Sequence, residues 1–217
     1  MRNKFDEQLK LLNKSLIEMG ALCQESISLS ANALMEGKAE KSKQVLPITE
    51  EIDQMERNIE SICLKMLLQQ QPVARDLRQI SAALKMITDM ERIGVQASDI
   101  AEIITFLDGR TGEECEYIRH MAESTINMVT ESIDAYVKQD LALAKKVIDD
   151  DDIVDDDFIK IKNFLIEMIS RNTADGEYAM DLLMIAKYFE RIGDHAVNIA
   201  EWVQFSVTGI HKGEPEL

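Results

Sequence analysis

The strongest constraint on the fold of this chain is an internal repeat. Residues 91–102 read ERIGVQASDIAE and residues 190–201 read ERIGDHAVNIAE, so eight of twelve positions are identical at an offset of 99 residues. Further upstream the offset is 102, where Asp53 matches Asp155. The chain is therefore a duplication of one unit of about 100 residues, with the joint near Gly109.

Each repeat is predicted to form three long helices. No proline lies between Pro72 and Pro215, and apolar residues recur at three- and four-residue steps, as is typical of amphipathic helices. The six predicted helices cover residues 4–36, 40–70, 74–107, 113–138, 140–172 and 177–208. Long helices with short connections pack antiparallel. We therefore predict an all-α fold of two tandem three-helix bundles, with domains 1–108 and 109–217.

The charge of the chain excludes several classes of partner. Its 24 Lys and Arg against 40 Asp and Glu give a net charge of −16, which repels nucleic acid and anionic lipid. No apolar stretch is long enough for a signal peptide or a membrane span, so we expect membrane association only through partners.

The three cysteines, Cys23, Cys63 and Cys115, share no metal or redox spacing. We expect them to be reduced and buried in a cytoplasmic protein.

Acidic side chains follow one face of the last predicted helix. At about 100° per residue, Glu190, Asp194, Asn198 and Glu201 fall at roughly 0°, 40°, 80° and 20°. This row lies away from the apolar face, and we expect it to be exposed. Clustered oxygen ligands suit Mg²⁺, Mn²⁺ or Ca²⁺ and, less selectively, iron or zinc. The alternative is the solvated face of an amphipathic helix.

A second acidic segment strengthens the metal hypothesis. Residues 149–157 read DDDDIVDDD near the start of the fifth helix, and Asp151 and Asp155 repeat the four-residue spacing. Two acidic rows on neighbouring helices enclose a cation better than one row does. Acidic residues near a helix N-terminus also complement the helix dipole, so that explanation stays open.

The first repeat has fewer oxygen ligands at the matching positions. Val95 stands in the place of Asp194, and Thr49 stands in the place of Asp151. The acidic candidates that remain are Asp53, Glu91, Asp99 and Glu102. We therefore expect the first repeat to bind metal more weakly than the second.

Both repeats keep a glycine inside their third helix, at Gly94 and Gly193. Glycine costs about 1 kcal/mol relative to alanine in a helix interior. Close helix packing is the favoured explanation, and space for a ligand or a partner is the alternative.

The sequence has no signature of catalysis. His120, His195 and His211 do not form the Glu-x-x-His pairs of di-iron bundles, and no glycine-rich phosphate loop or nucleophile elbow occurs. We expect His195 to be a surface histidine, with metal ligation as the alternative. The sequence therefore predicts a protein that is not an enzyme.

The motifs of the chain resemble those of a known family. The duplicated ERIG segment is accompanied by QQPVARDLR at 70–78, EEID at 50–53 and DDIVD at 151–155. In order and spacing these motifs resemble the PhoU family of phosphate-transport accessory proteins, over roughly residues 3–209.

This resemblance implies a cytoplasmic negative regulator without catalysis of its own. Family members damp phosphate uptake and phosphate-starvation signalling by acting on the ATPase subunit of the phosphate ABC transporter and on the sensor histidine kinase. The E/D-x-x-x-D motifs of the family bind multinuclear metal clusters on the bundle surface. Glu190 with Asp194 and Asp151 with Asp155 keep this pattern, whereas the first repeat keeps only part of it, at Glu91 and Asp53.

Two other functions remain as alternatives at this stage. One is a metal-binding or metal-storage helical protein with no role in phosphate signalling. The other is a histidine phosphotransfer bundle, although neither His120 nor His195 lies in a lysine-glycine context. Long bundle faces and 12 methionines permit a homodimer, since methionine adapts to irregular interfaces.

Overall fold

A computed structural model describes residues 2–70 and 72–210, and within these ranges the chain is helical without any strand. The six long helices are α1 (Arg2–Glu36), α3 (Val45–Gln70), α4 (Ala74–Ile104), α5 (Glu114–Lys138), α6 (Leu141–Arg171) and α7 (Gly176–Thr208). A one-turn helix, α2 (Ala39–Ser42), follows α1, and a 3-10 turn (Thr173–Asp175) precedes α7. The all-α prediction is confirmed. The histidine at 211 lies outside the described residues.

The second predicted helix is split in two by the structure. The expected helix over 40–70 becomes α2 and α3, with α3 beginning at Val45. Pro47 explains this start, because proline is tolerated in the first turn of a helix, where backbone N–H groups have no intrahelical partner. The start of α6 is set by Asp140, whose side chain accepts hydrogen bonds from the backbone N–H groups of Ala142 and Leu143 at 2.9 and 3.1 Å.

The two repeats form two three-helix bundles that pack side by side. The first bundle contains α1, α3 and α4, and the second contains α5, α6 and α7. Helix α4 packs against α7, and α1 packs against α5, so a single hydrophobic core runs through both bundles. Polar contacts cross the same boundary: Tyr136 donates to the Gln79 carbonyl oxygen, and Gln24 donates to Thr130, both at 2.8 Å.

The cysteines lie in this core. Cys23, Cys63 and Cys115 are buried and unpaired, as the sequence predicts. Burial raises the pKa of Cys23 and of Cys63 to about 12, so both thiols stay protonated.

Among the described helices, none has the length and apolarity required to cross a bilayer.

Candidate functional site

Helices α6 and α7 bring the predicted acidic residues of the second repeat together. Asp151 and Asp155 lie on α6, and Glu190 and Asp194 lie on α7; we call these four residues the acidic cluster. Gly193 makes room for it, because a Cβ on this glycine would lie 3.1 Å from Oδ1 of Asp151. The missing side chain thus lets the Asp151 carboxylate pack against α7.

The equivalent glycine of the first repeat, Gly94, packs against an apolar side chain and not against a carboxylate. A Cβ on Gly94 would lie 2.9 Å from Cδ1 of Ile52, which is fully buried. Close helix packing is therefore confirmed at Gly94. At Gly193 the closest neighbour is a carboxylate.

Burial and mutual repulsion both disfavour the charged forms of the acidic cluster. Burial and then the nearby carboxylates of Asp155, Asp194 and Glu190 raise the pKa of Asp151 to about 6. Burial followed by Glu190 also raises the pKa values of Asp155 and Asp194. The cluster therefore carries negative charge that the protein only partly compensates.

Lys187 provides that partial compensation, although the sequence analysis did not single it out. Its ammonium forms an ion pair with Glu190 and opposes the rise in the pKa values of Asp155 and Asp194. The same ammonium lies 5.4 Å from the ring centroid of Phe158 on α6, a cation–π contact. Lys187 thus crosses between α6 and α7 at one end of the cluster.

The predicted exposure of the acidic row is correct only in part. Asp194 and Asn198 are exposed, but the Glu190 side chain is only 15% exposed, because α6 packs beside it. Asn198 does not join the acidic cluster. Its side-chain amide donates to Oδ1 of Asp89 on α4 at 3.1 Å, so it connects the two bundles.

The expectation that His195 is a surface histidine is correct only in part. Its side chain is 22% exposed, and Nδ1 lies 2.9 Å from the same Oδ1 of Asp89. The packing of α7 on α4 covers this position, which sequence periodicity within α7 does not reveal. His120 is more exposed and pairs with the buried carboxylate of Asp157 on α6.

The first-repeat candidates do not assemble in the same way. Asp53 pairs with Arg57, whose Nη1 lies 2.8 Å from Oδ2, and Glu91 lies 3.5 Å from Nε of Arg92. Thr49, in the place of Asp151, has its hydroxyl 3.2 Å from the Gly94 carbonyl oxygen. A hydroxyl bonded to the backbone thus replaces a carboxylate of the second repeat.

Asp99 lies apart from Asp53 and Glu91, on the side of α4 that faces α7. Burial and then Glu102 raise its pKa, and Arg191 on α7 lowers it. The structure therefore places Asp99 at the boundary between the bundles.

Glu56 is a further acidic residue near Glu91 in the first repeat, and its position was not predicted from the sequence. Burial and then Glu91 raise its pKa, and Thr88 donates a hydrogen bond to its Oε1 at 3.4 Å. At offsets of 102 and 99, Glu56 and Thr88 correspond to Phe158 and Lys187. Both pairs join neighbouring helices, so the sequence carries no signal for them.

The donor set of the acidic cluster suits a hard cation. Carboxylate oxygens and uncompensated negative charge favour such ions. However, no three His, Cys, Asp or Glu side chains in the described parts of the chain converge as ligands of one ion. Metal binding by these residues stays a prediction.

A polar groove of about 560 Å³ adjoins the acidic cluster where the two bundles meet. It is lined by Gln96 of α4, by Asp151, and by residues of α7 that include Arg191, Asp194 and His195. Gln96 and His195 occupy equivalent positions of the two repeats. The groove thus combines basic, acidic and amide side chains from both halves of the chain.

Comparisons with known proteins agree with this architecture. The PhoU domain family matches residues 16–104 and 118–203. The chain is 32% identical over 210 residues to a phosphate-specific transport system accessory protein PhoU homolog of Clostridium acetobutylicum, covering 96% of each sequence. It is 33% identical over 208 residues to the protein of the same name from Pseudomonas aeruginosa, covering 95% of this chain and 86% of that protein.

Solved structures show the same fold. The crystal structure of PhoU from Pseudomonas aeruginosa matches 95% of this chain and 100% of that chain, with a TM-score of 0.89 and 33% identity. The phosphate transport system regulatory protein PhoU from Streptococcus pneumoniae matches 95% of this chain and 98% of that chain, with a TM-score of 0.86 and 23% identity.

Proposed function

The chain belongs to the PhoU family, and from this premise we propose that it is a cytoplasmic negative regulator of phosphate uptake and phosphate-starvation signalling. In this role it serves as an accessory protein of a phosphate-specific transport system. The observation that carries the proposal is that both repeats match the PhoU domain, while relatives named as accessory proteins align along almost the whole chain.

The proposed mechanism is binding without a catalytic step. The shared core and the contacts of Asp89 hold the two bundles in one arrangement. Such a body can act as an adaptor that binds the transporter ATPase and the sensor histidine kinase. Regulation follows if the adaptor binds one state of each partner more tightly than the other, because differential affinity is what shifts a conformational equilibrium.

Gene deletion tests the regulatory role. We expect deletion to raise expression of phosphate-starvation genes in phosphate-rich medium, and a plasmid copy of the wild-type gene to restore repression. A strain that expresses an unrelated helical protein from the same plasmid is the control. Unchanged expression in the deletion strain would contradict the proposal.

Co-purification tests the partners. The tagged chain is recovered from phosphate-rich cells, and the transporter ATPase and the sensor kinase are quantified against a strain with the tag alone. We expect both proteins to be enriched. Recovery of neither above the tag-only background would remove the adaptor mechanism.

A second proposal concerns divalent cations, and it is motivated by the raised pKa of Asp151. The residues that would hold a cation are Asp151, Asp155, Glu190 and Asp194. The positive charge of the cation would offset the repulsion among their carboxylates. Protein stripped with EDTA is titrated with Mn²⁺ and compared with the Glu190→Ala/Asp194→Ala variant. The matched control is Asp134→Ala, which changes an exposed pair with Lys138. Equal Mn²⁺ binding by all three proteins would reject these ligands.

A further inference from the structure

The side chain of His120 on α5 is held by a buried carboxylate of α6. Its Nδ1 contacts Oδ2 of Asp157, whose side chain is only 4% exposed, whereas the His120 side chain is 58% exposed. Because a carboxylate has no hydrogen to donate, Nδ1 carries a proton and donates it to Asp157. The contact therefore fixes one edge of the ring against the bundle and leaves the rest of the ring at the surface.

The proton on Nδ1 decides the chemistry of the other ring nitrogen. When a neutral imidazole has its proton on Nδ1, Nε2 carries a lone pair. Within the described part of the chain, the hydrogen bond of the His120 ring is the one at Nδ1, and Nε2 lies on the other side of this exposed ring. A histidine nitrogen with a free lone pair can form a covalent bond to an electrophile. His120 therefore presents an accessible nucleophile.

A lysine is bound to the other oxygen of the same carboxylate. Lys160, one turn further along α6, donates to Oδ1 of Asp157 at 2.8 Å, and its side chain is exposed. An exposed ammonium on the carboxylate that holds the ring favours an electrophile with negative charge, such as a phosphoryl group. The sequence next to His120 has no lysine, so the packing of α6 on α5 supplies it.

The first repeat shows that the three-helix bundle does not require this pair. At an offset of 102 residues, the position of His120 corresponds to Glu18. At the same offset, Asp157 corresponds to Met55, which packs against the hydrophobic core. Burying a carboxylate costs free energy that an apolar side chain does not. The fold by itself therefore does not account for a buried carboxylate at position 157.

We propose that His120 is a phosphoacceptor and that Asp157 is its positioning residue. The donor is an N-phosphoryl compound, such as a phosphohistidine of another protein. The lone pair of Nε2 attacks phosphorus, so an N–P bond forms at His120 while the N–P bond of the donor breaks and its electron pair stays on the donor nitrogen. Nδ1 keeps its proton, and the carboxylate of Asp157 offsets the positive charge that the ring gains. This inference goes beyond the proposed adaptor role and does not depend on it.

His195 has a similar partner but a different environment. Its Nδ1 lies 2.9 Å from Oδ1 of Asp89, and its side chain is only 22% exposed. The groove that it lines also contains the carboxylates of Asp151 and Asp194, which repel an incoming phosphoryl group. We therefore assign the reaction to His120 and use His195 as the internal reference.

Phosphoramidate tests the site, because it is a small N-phosphoryl donor that releases ammonia. The full chain is incubated with potassium phosphoramidate at neutral pH and is then digested at alkaline pH, which preserves N–P bonds. Mass spectrometry locates the phosphoryl group, and phosphorus NMR distinguishes Nε2 from Nδ1. We expect Nε2 of His120 to be phosphorylated at least about tenfold faster than His195.

The first repeat supplies a matched variant, Asp157→Met, which removes the carboxylate. We expect it to slow the reaction at least about tenfold and to give a mixture of Nδ1 and Nε2 products, since both nitrogens are then free. A purely structural role of Asp157 would not change the product. Asp134→Ala, which removes an exposed pair with Lys138 on the same helix as His120, should react like the wild type. If circular dichroism shows that Asp157→Met has lost helix, Asp157→Asn takes its place, and we expect the same slowing.

A measurement on the chain from cells completes the test. The chain is purified at alkaline pH from phosphate-rich and from phosphate-starved cells, and we expect phosphohistidine at position 120 in at least one of the two cultures. Three results would overturn the inference. They are phosphorylation of His195 as fast as His120, a folded Asp157 variant that reacts at the wild-type rate, and the lack of phosphohistidine at position 120 in both cultures.

Discussion

Nδ1 of His195 on α7 lies 2.9 Å from Oδ1 of Asp89 on α4. Asn198 donates to the same oxygen at 3.1 Å, so one carboxylate of the first repeat accepts two contacts from the second. The second repeat lacks this carboxylate, because the residue equivalent to Asp89 is Tyr188. The link therefore joins the bundles asymmetrically.

Removing this carboxylate should loosen the contact between the bundles. We expect Asp89→Ala to lower the free energy of unfolding by about 1–2 kcal/mol, since it removes partly buried hydrogen bonds to a charged group. The measurement is equilibrium denaturation in urea. Glu167→Ala removes an exposed pair with Arg171 and should change stability by less than about 0.5 kcal/mol.

A double-mutant cycle isolates the His195 contribution. Asp89→Ala and His195→Ala should show a coupling free energy of at least about 0.5 kcal/mol, because the two side chains are in direct contact. Strictly additive effects would show that the contact contributes nothing measurable.

The two helix glycines should respond differently to alanine. Gly94→Ala pushes a methyl group against the buried Ile52, which costs about 1–3 kcal/mol by overpacking against a gain of about 1 kcal/mol in helix propensity. In Gly193→Ala the added methyl group contacts the carboxylate of Asp151. Because this carboxylate can turn toward solvent, the variant retains the stability gained from the higher helix propensity of alanine. Thermal unfolding of both variants makes the comparison. A larger loss of stability in Gly193→Ala would contradict the assignment of neighbours.

Asp151 should make stability depend on pH in an identifiable range. Its pKa is raised from 3.8 to about 6 in the folded chain, so the folded state binds the proton more tightly than the unfolded state. The favourable contribution of the protonated carboxyl is complete below about pH 4 and is lost as pH rises through about 6.

The isosteric variant Asp151→Asn tests this relation. At pH 8, with EDTA present, we expect it to be more stable than the wild type by on the order of 1 kcal/mol, a value discounted because solvent screens this half-exposed group. The difference should disappear below about pH 4. Asp134→Asn is the control and should lack this pH profile. A destabilised Asp151→Asn at pH 8 would contradict the repulsion that we assign to the cluster.

Because one core runs through both bundles, the predicted boundary at residues 108 and 109 should not yield independently stable halves. A fragment of residues 1–108 exposes the faces of α1 and α4 that α5 and α7 cover in the full chain. We expect this fragment to lack a cooperative unfolding transition as a monomer. Circular dichroism and sedimentation check this expectation, and a monomeric fragment with a sharp transition would show that each bundle is a self-sufficient domain.

Helix positions and burial were largely predictable because they follow local periodicity. The exception was the break before Val45, where Pro47 outweighed a continuous apolar stripe. The site was less predictable. The spacing of Glu190 and Asp194 placed both on one helix face, yet it did not reveal that Lys187 pairs with Glu190 or that Asn198 bonds to Asp89.

From the sequence by itself follow the helical class and the carboxylates at four-residue spacing, because each of these depends on residues within a few turns of one another. The duplication also follows from the sequence, because it needs only a comparison of the two halves at offsets of 99 and 102 residues. Only the tertiary structure decides which carboxylates meet across α6 and α7, how far they are buried, and that His195 and Asn198 contact a residue of the other repeat. Those contacts join positions about 35 to 110 residues apart, and their geometry depends on how whole helices pack.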